Sequence, residues 1–294
     1  MVKIIDINFL NTKCAIACFL VESDNGLILI ETGPATAYNN IKKALEIAGY
    51  NINKINHVFV THIHLDHSGG AWRFAKNGAK IYVHPNGAKH LIDPGKLIES
   101  ATKIYGDTMN TLWGKINKIP ESSIQTTDHR EKIVIGNVTV ESLHTPGHAN
   151  HHIAWKINND VFTGDVAGAK IKNGPVLPAC PPPEIDLDKW CESLNLILEE
   201  KPDVLYLTHF GKSTNVYNHI SEMKFMLKNW GDWIKENKSS YNSVEKLTEK
   251  FNEYVYDFLK NKKKLNKKLI EQYYAANPPY MSVTGLLRYW NKKK

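Results

Sequence analysis

The strongest constraint on this chain is a run of three histidines and one aspartate within six residues, HIHLDH at 62–67, which follows an apolar stretch and precedes Ser-Gly-Gly. Polar groups buried without partners cost roughly 2–7 kcal/mol each, so these side chains need something to bind. In an extended segment alternate side chains share a face, so His62 and His64 point one way, while the turn aims Asp66 and His67 at a second point. Imidazole and carboxylate without thiolate are typical ligands of zinc and similar divalent ions. The run therefore predicts a strand that ends in a turn able to serve two metal ions.

Three more candidate ligands follow, each at the end of a predicted strand and beside a glycine. They are His148 in Thr-Pro-Gly-His, Asp165 in Thr-Gly-Asp and His209 in Thr-His-Phe-Gly. Glycine lets the backbone approach closely, and functional side chains concentrate on loops that a rigid scaffold positions. The chance that all of these motifs arise together without a function is negligible. The sequence therefore predicts one site assembled from separated segments.

Hydrophobic periodicity divides the chain into two mixed halves and a helical tail. Apolar runs joined by Asn-Gly and Gly-Asn turns alternate with helical patterns over residues 1–120 and 130–212. The stretch at 86–118 is typical of a helical insertion, and the last quarter of the chain predicts three or four helices. We therefore expect a catalytic domain at 1–219, which carries the insertion, and a helical extension at 220–294.

A proline-rich segment at 167–186 contains two glycines and five prolines and is too long for a simple connection in a compact domain. Together with the helical insertion, it has the length expected of a lid over a binding site. Tyr105, Trp113 and Trp190 lie in or beside these segments. We expect each ring either to line a substrate pocket or to pack in the core.

The turn at 62–67 and the TPGH, TGD and THFG segments resemble, in order and rough spacing, the metallo-β-lactamase superfamily, over about residues 1–212. The resemblance implies an α+β fold, a four-layer αββα sandwich in which two sheets pack face to face with helices outside, here followed by a C-terminal helical extension. It also implies two divalent metal ions, most simply zinc, with iron or manganese as alternatives. The implied ligands are His62, His64 and His148 for the first ion, Asp66, His67 and His209 for the second, and Asp165 between the two.

The resemblance also implies roles around these ligands. Asp66 is expected to be catalytic as well, orienting or shuttling a proton of the hydroxide that bridges the two ions. Glu31, in Glu-Thr-Gly, stands where the family ordinarily has an aspartate behind the ligands. His152 resembles a further histidine of the glyoxalase II branch, which implies a place behind the ligands or on the substrate side. The alternative for His152 is a strand histidine with ordinary partners.

The chemistry that the resemblance implies is hydrolysis of a small ester, thioester or lactone, as in the glyoxalase II and lactonase branches. Two alternatives on the same scaffold stay open. One is an iron-dependent oxidoreductase similar to the persulfide dioxygenase branch, and the other is a phosphodiesterase or nuclease. The motifs therefore predict a metal-dependent reaction, and they do not identify its substrate.

The net charge of +7 lies entirely in the tail, because residues 220–294 carry +8 and residues 1–219 carry −1. Of 37 basic residues only Arg73, Arg130 and Arg288 are arginines, so planar groups that grip phosphates are scarce and a nucleic-acid partner is not expected.

Composition and apolar patterning bear on partners and compartment. The longest apolar stretches fall short of the roughly 18 residues that a membrane span needs, so no membrane partner is expected. Four cysteines without a CxxC pair suit a reducing cytoplasm. The tail's apolar face, which carries Trp230, Trp233 and Phe251, is expected to pack on the catalytic domain or on a second subunit in a homodimer.

Overall fold

Two six-stranded sheets form the centre of the molecule over residues 2–293, which the computed structural model describes. The first sheet contains β1 (Val2–Asp6), β2 (Ala17–Ser23), β3 (Gly26–Ile30), β4 (Ile55–Phe59), β5 (Lys80–Val83) and β6 (Ile124–Thr126). The second contains β7 (Lys132–Ile135), β8 (Val138–His144), β9 (Ile153–Ile157), β10 (Asp160–Gly164), β11 (Val204–Leu207) and β12 (Gly211–Ser213). The first sheet runs in chain order, with β3 to β6 parallel; the second has the order β12-β11-β10-β9-β8-β7, with only β10 and β11 parallel.

Helices cover the sheets and form the tail. Those of the first 212 residues are α1 (Tyr38–Ile47), α2 (Leu65–Ser68), α3 (Ala71–Lys76), α4 (Pro85–Ile92), α5 (Gly95–Tyr105), α6 (Met109–Leu112) and α7 (Leu187–Glu199). Those of the tail are α8 (Val216–Asn237), α9 (Val244–Asp257), α10 (Lys267–Ala276) and α11 (Tyr280–Lys292). None of the helices within residues 2–293 combines the length and apolar character that crossing a membrane requires.

The two sheets pack face to face because alternate side chains of their strands are apolar and point into the gap between them. Phe19 of the first sheet lies 5.3 Å from Phe162 of the second, ring centre to ring centre, and Phe59 lies 4.9 Å from Trp155. On the outer face, α1 and α3 lie against the first sheet. The expected α+β fold, a four-layer αββα sandwich with a helical extension, is therefore confirmed.

The helical segments agree with their expected places, with two differences of detail. The insertion at 86–118 contains most of α4 together with α5 and α6, and the tail forms four helices. The predicted domain boundary between residues 219 and 220 falls inside α8, because helical periodicity continues across it. The short strand β12 precedes α8 and was not predicted, since three residues are too few to show a strand pattern.

The tail folds back on its own chain. Helix α8 packs on α7, and α11 packs on both α8 and α9. Trp230 is fully buried, with the Phe251 ring 5.1 Å away, and Trp233 lies 5.2 Å from the same ring. The apolar face that carries these aromatic rings is therefore covered within the chain. Association of two chains through the tail stays a prediction.

Candidate metal centre

The centre lies where several strands end on one edge of the sandwich. His62 and His64 follow β4, while His148, Asp165 and His209 follow β8, β10 and β11. Strands β8, β10 and β11 run in the same direction, so their carboxyl ends meet at that edge. Asp66 and His67 come from the first turn of α2, directly after the extended segment. The structure thus brings together all seven side chains singled out as ligands, although they span 148 positions of sequence from 62 to 209.

Two glycines let these segments meet. Gly147 has φ of +131°, and a Cβ there would lie 2.3 Å from the Cα of Trp190. Gly164 has φ of +49°, and a Cβ there would lie 2.4 Å from Oγ1 of Thr61. A side chain at Gly147 would push the backbone of Trp190 away, and one at Gly164 would displace the side chains of Thr61 and His152. Glycine therefore fixes how closely His148 and Asp165 approach the others.

Three imidazoles form the first group, with His62 and His148 buried and His64 partly exposed. Nε2 of His62 lies 2.9 Å from Nδ1 of His64, and Nε2 of His148 lies 3.2 Å from His62 Nε2 and 3.0 Å from His64 Nδ1. Tetrahedral zinc with bonds of about 2.0–2.1 Å to nitrogen has ligand separations of roughly 3.3 Å. The three nitrogens therefore fit three corners of a zinc site.

The second group contains one carboxylate and two imidazoles. Oδ2 of Asp66 lies 3.5 Å from Nε2 of His67 and 3.4 Å from Nε2 of His209. Both histidines are buried, whereas Asp66 is partly exposed to the cavity beside the site. The ligand atoms of each group lie within 4.8 Å of one another, which suits one divalent ion per group.

Asp165 stands between the two groups. Its Oδ2 lies 3.5 Å from Nε2 of His148, while its Oδ1 lies 3.2 Å from Nε2 of His67 and 3.4 Å from Nε2 of His209. One carboxylate oxygen therefore faces each group. This is the arrangement that a carboxylate shared by two cations requires.

The outer nitrogens of two histidines are held by backbone carbonyls. Nδ1 of His148 donates to the carbonyl of Ala179 at 2.8 Å, and Nδ1 of His209 donates to the carbonyl of Ala15 at 2.8 Å. A carbonyl only accepts, so a proton sits on Nδ1, and Nε2 is left to face inward. Both rings are thus oriented as metal ligands.

A buried glutamate orients two more histidines. Oε1 of Glu31 accepts from Nδ1 of His67 at 2.9 Å and from the hydroxyls of Thr61 at 2.5 Å and Thr208 at 3.2 Å. Thr61 gives its one hydroxyl proton to Glu31, so it accepts from Nδ1 of His62 at 3.0 Å. Nε2 of both histidines is therefore left to face the centre, and Glu31 reaches the ligands with its longer side chain.

The residues present fit a pair of divalent cations. Inward-facing ring nitrogens and carboxylate oxygens converge in two sets. In the part of the chain that the structure describes, buried Nε2 of His67 and Oδ1 of Asp165 make no hydrogen bond, although they lie 3.2 Å apart. Buried polar atoms without partners are costly, and a cation would satisfy both.

The electrostatics of the protein alone point the same way. Burial lowers the pKa of His62 and His64, and neighbouring imidazoles add to the effect. Burial also opposes charge on His67, but Asp165, Asp66 and Glu31 outweigh it and raise its pKa well above the usual value. Despite burial, His67 and His209 hold the pKa of Asp66 at about 2. The carboxylates thus stay ionised and attract positive charge to the second group.

His152 lies behind the ligands rather than on the substrate side. Its Nε2 accepts from the backbone N–H of Asp165 at 3.2 Å, so its Nδ1 donates to Oγ1 of Thr145 at 2.8 Å. The ring is fully buried. It therefore fixes the backbone that carries Asp165.

Sequence reasoning did not single out His151. Its ring lies 5.7 Å from that of His64, and it lines the cavity beside the site together with Glu184. Nε2 of His151 lies 3.6 Å from Oε2 of Glu184. The available signal was its place in the histidine-rich run that follows the Thr-Pro-Gly-His motif.

A cavity of about 410 Å³ opens beside the two groups, with His64, Asp66 and Asp165 in its wall. Three aromatic rings were expected either to line a substrate pocket or to pack in the core. Of these, Tyr105 and Trp113 line this cavity. Trp190 is fully buried, donates from Nε1 to the carbonyl of Val166 at 2.7 Å, and lies 5.4 Å from the His148 ring. It therefore belongs to the core behind the ligand.

Two curated proteins match about half of this chain. The chain is 34% identical over 164 residues to the metallo-beta-lactamase fold-containing protein ST1585 of Sulfurisphaera tokodaii, which covers 54% of this chain and 62% of that protein. It is 30% identical over 158 residues to Glyoxylase B2 of Dictyostelium discoideum, which covers 52% of this chain and 47% of that protein. The matches thus span less than two thirds of either relative.

Solved structures and a family profile place the fold. The structure of ST1585 superimposes with a TM-score of 0.65 at 26% identity, covering 78% of this chain and 85% of that one. The metallo-beta-lactamase family protein TTHA1429 of Thermus thermophilus gives 0.69 at 16% identity, covering 99% and 93%, and so resembles the fold including the tail. The profile of the Metallo-beta-lactamase superfamily matches residues 11–209. Sequence, fold and the gathered histidines and aspartates agree, and this chain belongs to the metallo-beta-lactamase superfamily.

Proposed function

We propose that this protein is a hydrolase that uses two divalent metal ions, in the first place zinc, to cleave a small ester, thioester or lactone. The observation that carries the proposal is the convergence of inward-facing imidazole and carboxylate groups in two sets joined by Asp165. A nitrogen and oxygen donor set beside an open cavity is typical of catalytic rather than structural metal sites.

The ligands divide the work. His62, His64 and His148 would hold one ion, and Asp66, His67 and His209 the other. When bound, such a pair supplies Lewis acidity that polarises a carbonyl group and makes water nucleophilic near neutral pH. Asp66, which faces the cavity, would orient the attacking water by accepting a hydrogen bond from it. Glu31 and His152 keep the ligands in place from behind.

Neighbouring features favour small carbonyl substrates over nucleic acids. Among the described residues that line the cavity, Lys96 is the only lysine or arginine, so a polyphosphate backbone lacks partners there. The similarity to a protein named Glyoxylase B2 agrees with the resemblance to the glyoxalase II branch, and that resemblance implies a thioester as one member of the substrate class.

The experiment is a substrate panel run on protein of known zinc content, containing a thioester, a lactone, a carboxylic ester, a phosphodiester and a β-lactam. We expect zinc-dependent hydrolysis of at least one of the first three. Asp165→Asn is expected to lower kcat by roughly a hundredfold or more and to lower the zinc content, because the shared anion is lost. Asp128→Asn, a change at an exposed aspartate outside the cavity, serves as the control.

Two outcomes would contradict the proposal. Stoichiometric iron together with oxygen consumption and no hydrolysis would establish the oxidoreductase alternative. Cleavage of the phosphodiester alone, with nucleic-acid binding that weakens steeply with salt, would establish the nuclease alternative.

A further inference from the structure

The cavity beside the metal centre is walled mainly by apolar side chains, and we call this part the apolar chamber. Its walls come from four separate segments, which are the N-terminal stretch at 9–16, the helical insertion, the proline-rich segment and the tail. Representative wall residues are Leu97, Ile104, Trp113, Pro182, Tyr274 and Met281. At about 410 Å³ the cavity has room for a small organic molecule.

Contacts between the segments hold the chamber open. The Tyr105 hydroxyl, on the insertion, lies 3.5 Å from Sδ of Met281, on the tail. The rings of Tyr105 and Trp113 lie 5.0 Å apart edge to face, and Trp113 stacks on Phe9 at 5.8 Å. Aromatic rings packed in this way stabilise the contacts between the segments that form the chamber wall.

Large apolar side chains also surround the opening. Leu10, Ile104 and Tyr280 all line the cavity and remain 48%, 39% and 43% exposed. Exposed apolar groups gathered around one concave surface mark a binding site more often than isolated ones do. They would lose contact with water when an apolar chain fills the chamber, which favours binding.

The charges of the chamber disfavour an anionic acyl group. Lys96, which is exposed, is the only lysine or arginine among the described residues of the lining. Outside the metal centre, the lining adds the carboxylate of Glu184. A carboxylate or phosphate at the far end of a substrate would lose its hydration, and among the described lining residues it could gain only one exposed lysine as a cationic partner.

We propose that the substrate is an ester, thioester or lactone of an uncharged, medium-length acyl chain that lies in the apolar chamber with its carbonyl group at the metal centre. The inference rests on the proposed function for the bond that is cleaved. In that reaction water oxygen forms a bond to the acyl carbon, the carbon–oxygen or carbon–sulfur bond breaks, and the leaving alcohol or thiol takes up a proton.

The first experiment compares three p-nitrophenyl esters on the zinc-loaded protein, namely the acetate, the octanoate and the monoester of octanedioic acid. Because each buried methylene favours binding, kcat/KM for the octanoate is expected to exceed that for the acetate by roughly tenfold or more. The octanedioate monoester has the same length with a terminal carboxylate and is expected to lose most of this gain. A kcat/KM for the acetate or the octanedioate monoester that equals the value for the octanoate would overturn the proposal.

A pair of variants ties the preference to the chamber. Ile104→Glu places a charge at the opening and is expected to lower the octanoate-to-acetate ratio of kcat/KM by roughly threefold or more. Ile47→Glu makes the same change on α1, where Ile47 is 79% exposed and outside the cavity, and is expected to leave the ratio unchanged. Equal ratios in the two variants would count against the chamber as the acyl site.

A binding measurement separates this inference from the proposed function. Calorimetry with the unreactive N-methyloctanamide, with N-methylacetamide as control, needs no catalysis and works on metal-free protein. If the longer amide binds, the shorter one does not and no ester is hydrolysed, the acyl-binding role of the chamber is supported and the hydrolase function is contradicted. Ester hydrolysis without length preference or amide binding would keep the hydrolase and reject the chamber.

Discussion

The residue on which the ligand geometry depends most is Glu31, which binds no metal in the proposed scheme. It is fully buried and accepts hydrogen bonds from His67, Thr61 and Thr208 through one carboxylate oxygen. Its backbone has φ of +66°, a left-handed conformation that costs a residue with a side chain roughly 1–2 kcal/mol. Because this conformation aims the carboxylate at the ligands, the local cost is offset by the network that it completes.

Glu31→Gln is expected to weaken metal binding while the fold persists. The amide keeps the shape but carries no charge, so it holds the Nδ1 proton of His67 less strongly and lowers the basicity of that ligand. Loss of such a supporting group typically costs about 10–100-fold in metal affinity. Competition with a chelator measures the change, and Glu22→Gln, at an exposed position, is the matched control. Equal zinc affinity in the two variants would show that Glu31 does not tune the site.

At the scale of elements, the tail helices hold the proline-rich segment against the metal centre. The N–H of Cys180 donates to Oγ of Ser282 in α11 at 3.1 Å, and Asn277 donates to the carbonyl of Pro178 at 2.9 Å. Between these two anchors, the carbonyl of Ala179 accepts from Nδ1 of His148. The tail thus positions the candidate metal ligand His148, which lies far from it in the sequence. It does so through residues 178–180, which it holds in place.

Gly285→Ala tests this connection. A Cβ at Gly285 would lie 2.1 Å from the carbonyl oxygen of Cys180, so α11 and the segment must separate. We expect a measurable drop in zinc affinity, of roughly tenfold, because the carbonyl that orients His148 moves with the segment. Gly95→Ala, at a helix start where the nearest atom lies at an ordinary 3.8 Å, is the control. Zinc affinity that is unchanged in Gly285→Ala while the melting temperature falls would limit the tail to a structural role.

For the whole molecule, the fold and the candidate ligands could be predicted from the sequence because short local motifs indicate both. His62 and His148 each stand in a motif of a few residues at a strand end, and the sandwich follows from the family resemblance. The contact between Tyr105 and Met281 has no such local pattern, because it depends on how the tail packs across 176 positions of sequence. For the same reason the apolar chamber emerged only from the structure.

The division of the molecule into a catalytic part and a tail is less sharp than the sequence suggests. Helix α8 crosses the predicted boundary, and α10 and α11 supply walls of the cavity as well as anchors for the proline-rich segment. Under the proposed function the tail is therefore part of the site. The positive charge of the tail lies on many exposed lysines. These side chains face solvent, so they do not interfere with the packing of the tail on the rest of the chain.

The proposed chemistry requires that two cations bind among the seven gathered side chains. The most direct test is diffraction from crystals grown with zinc, with data collected on both sides of the zinc absorption edge. We predict two anomalous peaks per chain, one among His62, His64 and His148 and one among Asp66, His67 and His209, with Asp165 between them. Absence of any anomalous peak among these side chains at saturating zinc would contradict the account.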